Sequence, residues 1–130
     1  MIDRSARDVA IRRIEQYFGG LITNDEFLDE FPKSSKDPAL VAIYRKLFDI
    51  VSDMYSHTIL QSIDVDPAVN AIVVRCLLFL RSDFEYRWTS RLFRIVRGLR
   101  QTNITGNLKS GDPDVWPFFT AADYQSVSSL

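Results

Sequence analysis

A chain of 130 residues, 46% hydrophobic and 25% charged, has the size and composition of one globular domain that can bury roughly two-thirds of its unfolded surface without disulfides or metal. A single cysteine rules out an internal disulfide framework, and a net charge of −1 with a pI near 5.8 argues against nucleic-acid binding, for which domains are usually basic overall. The longest apolar run falls short of the ~20 residues that cross a bilayer, and the N-terminal MIDRSARDVAIRRIEQ carries charge throughout where a signal peptide would be apolar, so the expectation is a soluble, cytoplasmic protein away from membranes.

Read in chain order, the sequence is a series of helices. Ser5-x-x-Asp8 has the form of a capping box, Ala6, Val9, Ala10, Ile14, Tyr17 and Phe18 keep a helical period, and Gly19-Gly20 accept the left-handed conformation that ends a helix. Thr23-x-x-Glu26 opens a short helix with Phe27, Leu28 and Phe31 inward, closed by Pro32. Asp37-Pro38 begins a third, whose Leu40, Ile43, Tyr44, Leu47, Phe48, Val51, Met54 and Tyr55 form one inward face.

The run AVNAIVVRCLLFL, residues 68–80, has eleven apolar residues of thirteen and follows Asp66-Pro67, again a cap and a first-turn proline. A helix apolar nearly all round requires protein around it, so a central helix over about 67–81 is expected, with Leu77 and Leu80 almost inaccessible. Residues 82–89 read as a junction with three aromatics, a further helix follows from near Ser90 to Gln101, and 103–114 reads as a flexible loop before a C-terminal aromatic segment and a last short helix opened by Thr120-x-x-Asp123. The fold expected is all-α: a compact single-domain bundle of five or six helices.

The residues offer little chemistry. His57 and Cys76 have no metal-ligand spacing around them, Asp64-x-Asp66 lacks the glycine and distal glutamate of a calcium loop, and the five glycines form no phosphate cradle, so neither cofactor nor metal is expected. Cys76 reads as an inert core residue. Asp25, Glu26, Asp29 and Glu30 alternate with Phe27, Leu28 and Phe31, the pattern of a solvated face opposite a buried one.

Charge is placed unevenly. Residues 1–66 carry eight basic and twelve acidic side chains, residues 67–130 eight basic and five acidic. Arg87, Arg91, Arg94, Arg97 and Arg100 have no acidic neighbour in their stretch. If a helix starts by Arg87, the first three fall within about 60° of one another. With Trp88 at its start, this row is the candidate binding site; the competing reading is a solvated face or pairing with the chain's own carboxylates. Trp116 to Phe119 is read as a lid over the central helix or, alternatively, as an aromatic patch for a partner.

FLRSDFEYRW, together with DVWPFFTAADY, resembles small bacterial cytosolic proteins with an aromatic-acidic motif after a central apolar helix, a likeness that implies no activity and carries over no site residue. The function expected is a non-catalytic protein-interaction module, an adaptor or an inhibitor or immunity-type protein whose partner is another protein. The alternative is an anion- or nucleic-acid-binding module built on the basic face at 87–100.

Overall fold

A computed structural model describes residues 1–52, 66–88 and 111–128. Among them the chain forms five α-helices: α1 (Arg4–Phe18), α2 (Asn24–Glu30), α3 (Pro38–Val51), α4 (Pro67–Arg81) and α5 (Ala121–Ser128), with one 3-10 turn, Pro113–Val115, and no strand. The all-α bundle is the architecture expected. Met54, Tyr55, His57, Asp64 and the loop residues 103–110 lie outside the described residues.

Local signals set most helix ends. In the box that starts α2, the Glu26 N–H donates to Thr23 Oγ1 (3.1 Å) and the Thr23 N–H to Glu26 Oε1 (3.2 Å). Asp37 and Asp66 each accept the N–H two residues on, with proline in the first turn of the helix that follows. The start of α1 differs from expectation. Its cap is Asp3, which accepts the Ala6 N–H at 3.1 Å, and Ser5 lies inside the helix. Tertiary contacts explain the choice: Asp3 also accepts the Ser34 hydroxyl at 2.7 Å, and its own N–H donates to Asp37. The Ser34 and Ala6 bonds hold its carboxyl below the ordinary range. At the other end only Gly20 is left-handed (φ 80°). Gly19 is needed for space, because a Cβ there would stand 2.7 Å from the Glu15 carbonyl oxygen.

Helix α1 packs on α2, α3 and α4, and α5 packs on α4. Ile14, Phe27, Ile43, Leu47, Phe79 and Leu80 are sealed between them. The carboxylates of α2 face solvent opposite buried Phe27 and Phe31, as their alternation implied. In α4 the buried set is Val73, Cys76, Phe79 and Leu80, a spacing that selects one broad face. Leu77 is therefore only half-buried, contrary to expectation, and Val74 is 42% exposed.

Two helix ends are closed by side chains from other elements. The last carbonyls of α4 have no partner within the helix. Arg4 donates to the carbonyls of Leu80, Arg81 and Ser82, and Arg7 to those of Phe79 and Ser82. Two guanidinium groups thus lie where a helix C-terminus carries its partial negative charge. Arg7 is completely buried and closes a two-bond fork on Asp37, Nε to Oδ2 at 2.6 Å and Nη2 to Oδ1 at 3.1 Å. Its guanidinium carbon also lies 5.1 Å from the Phe79 ring centre. Buried Asn24 of α2 donates to the Val51 carbonyl at the end of α3.

Candidate functional site

Residues 83–87 are non-helical, and exposure alternates along them as on an extended path: Phe84, Tyr86 and Trp88 are half-buried while Asp83, Glu85 and Arg87 face out. The aromatic alternation seen in the sequence is the period-2 signature of that extended path. The tail meets it as a lid. Phe118, wholly buried, stands edge-on to Phe79 (5.3 Å between ring centres) and Phe84 (5.9 Å). Trp116 donates its indole N–H to the Tyr86 hydroxyl (3.0 Å), and Trp88 donates to the Phe118 carbonyl (3.3 Å). Gly111 lies flat on Trp88, and a Cβ there would meet the indole at 2.6 Å. Asp112 caps the 3-10 turn, so residues 111–115 are tied to the tail.

This arrangement fixes part of the expected arginine row. Arg87 belongs to the extended segment, so helical register does not set it on one face with Arg91 and Arg94. Its guanidinium lies 4.5 Å over the Phe119 ring and 3.9 Å from Asp123, which ties it to its own tail. Trp88 is half-buried against that tail. Arg91, Arg94, Arg97 and Arg100 fall outside the described residues. The acidic cluster of α2 is not the partner of Arg87; there, Glu30 pairs with Arg13 of α1.

Two surfaces of α3 emerge that sequence reasoning passed over. Val41 (44% exposed), Tyr44 and Phe48 (42%) run at i, i+3, i+7 beside the core stripe, and Phe48 is not the inward residue it was expected to be. Val41 and Tyr44 line a groove of about 410 Å³ with Pro32, Lys33 and Ser34. On the adjoining side, Arg45, Lys46 and Asp49 of α3 face Arg75 of α4 across a cleft of about 390 Å³, closed by Trp88 and Trp116. The available signals were an α3 sequence with more apolar residues than one stripe needs, and a lone arginine in the apolar run of α4.

Cys76 is sealed, and burial pushes its thiol up to about 12 against the opposing charges of Arg75 and Lys46. Labelling by a thiol reagent at pH 8 should run more than about 100-fold slower in the native protein than in denaturant. Equal rates would show that α4 opens readily.

No family model, no curated protein and no solved structure matches the chain. Among the described residues no helix is long and apolar enough to cross a membrane.

Proposed function

We propose that the chain is a non-catalytic protein-interaction module, an adaptor or an inhibitor or immunity-type protein, that docks an acidic partner on the outer face of α3. The observation that carries this reading is the row of exposed Val41, half-buried Tyr44 and exposed Phe48 on a helix whose adjoining face already fills the core. Neighbouring apolar side chains left in solvent together mark a contact surface, where singly scattered ones need no explanation. Lys33 and Arg45 border it, and among the described residues neither of them pairs with a carboxylate. That charge selects an acidic partner and steers its approach. An aromatic anchor beside cations is also the composition of energetic centres in interfaces.

The test is capture from the native source with a photo-crosslinker at position 48, repeated with Val41→Asp/Phe48→Asp. Both sites are exposed, so the double variant should melt within a few degrees of the parent. An acidic protein captured by the parent, and bound at least about 10-fold more weakly by the double variant, supports the assignment. Undiminished binding by a folded double variant overturns it.

A further inference from the structure

The cleft between α3, α4 and the tail has features that docking on the outer strip does not require. Arg45 and Lys46 enter it from α3 and Arg75 from α4, against the single carboxylate of Asp49. Arg45 and Asp49 stand at the i, i+4 spacing that ordinarily forms a surface ion pair. They form none, and among the described residues neither Lys46 nor Arg75 has a carboxylate partner. Arg75 is positioned by the tail: its Nε donates to the Trp116 carbonyl at 2.9 Å, which holds the guanidinium and leaves its two terminal nitrogens uncommitted among the described residues. Lys46 and Arg75 both act electrostatically on the Cys76 thiol, as cations close to one another would.

The walls are of a different kind. Trp88 and Trp116 both line the cleft, and each indole N–H is already spent, on the Phe118 carbonyl and the Tyr86 hydroxyl. What the indoles have left to offer a ligand is the ring surface the chain leaves open, Gly111 covering part of Trp88, and such surface stacks on flat unsaturated rings. Ile72 and Ala42 add apolar floor. A volume of about 390 Å³ lies within the usual range for small-molecule sites of ~300–1,000 Å³.

We propose that this cleft binds a small phosphorylated compound with a flat ring, of nucleoside monophosphate size: the ring against the tryptophans, the phosphate on Arg45, Lys46 and Arg75. The cleft shares Arg45 with the border of the strip but none of Val41, Tyr44 and Phe48, so variants at those three positions test it apart from the protein-docking role.

The chain's only two tryptophans both line the cleft, so intrinsic fluorescence reports on it directly. Adenosine monophosphate should change that fluorescence saturably, with a midpoint below about 1 mM, and bind at least about 10-fold more tightly than inorganic phosphate at the same ionic strength. Calorimetry on the same samples reads binding even if the indoles do not respond. Arg45→Glu/Lys46→Glu changes two exposed side chains and should leave the fold intact while weakening the nucleotide at least about 10-fold. Val41→Asp/Phe48→Asp should leave nucleotide binding unchanged. Absence of nucleotide heat up to 1 mM, equal affinity for phosphate alone, or undiminished affinity in the folded charge-reversal variant would each overturn the assignment.

Discussion

Arg7→Ala is expected to destabilise the protein by about 3–5 kcal/mol, because it strands a buried carboxylate and removes one of the two arginines at a helix end together. Arg7 and Asp37 are both sealed, at 0% and 1% exposure. Removing the guanidinium leaves Asp37 with only the Asp3 and Ala39 N–H groups as donors, and takes one donor each from the Phe79 and Ser82 carbonyls, which keep Ser82 and Arg4. Arg7→Lys should rescue little, since an ammonium cannot reproduce the two-bond fork and the carbonyl contacts at once. Arg7→Met/Asp37→Leu should recover part of the loss by removing both charges, but not all, because Asp37 also caps α3, a role worth about 1 kcal/mol. Urea unfolding gives the values, and a loss under about 1 kcal/mol for Arg7→Ala would falsify the account.

The same pair sets an acid response. Burial pushes the Asp37 carboxyl up, but the Arg7 fork and the N–H groups of Asp3 and Ala39 outweigh it and hold the group below its ordinary 3.8. A carboxyl depressed in the folded state contributes stability that is complete above its unfolded value and disappears as pH falls through the folded value. Stability should therefore hold down to about pH 4 and fall below it, and Asp37→Asn should flatten that slope while lowering stability at neutral pH.

What the sequence made legible follows from the range of each signal. Thr23 with Glu26, Asp37 with Pro38 and Asp66 with Pro67 act on backbone within three residues, so their positions alone locate α2, α3 and α4. The start of α1 escaped because Ser34 and Asp37, more than thirty residues away, choose Asp3 over Ser5. Arg4 and Arg7 are indistinguishable in sequence from surface arginines, and only the approach of α1 to the end of α4 turns them into its cap. For the sites the limit is similar. A helical period identifies one apolar face, and Phe48 was assigned to it because nothing local distinguishes a core phenylalanine from one beside it. The cleft joins residues 45, 46, 75, 88 and 116, a grouping that exists only after α3, α4 and the tail have met.

Phe118→Ala is expected to cost about 3–5 kcal/mol, the usual toll for a fully buried phenylalanine. The ring has 0% exposure and touches three others: Phe79 at 5.3 Å, Phe84 at 5.9 Å and Tyr124 at 5.4 Å. Those contacts join α4, the extended segment and α5, so the cavity left by truncation has walls from three elements and cannot collapse without moving one of them. The neighbour makes a natural control. Phe119 is half-buried and meets Trp88 and Arg87 near the surface. Phe119→Ala should lose about 1 kcal/mol, from a cation–π contact and partial burial. If the tail is part of the cooperative core, Phe118→Ala lowers the urea midpoint and leaves the slope unchanged. If it detaches first, the tryptophan signal moves ahead of the helical signal, because Trp88 and Trp116 both sit at its seam. A loss for Phe118→Ala no greater than that for Phe119→Ala would mean that the tail only rests on the bundle, and Arg75, which it positions, would then lose the anchor that aims it into the cleft.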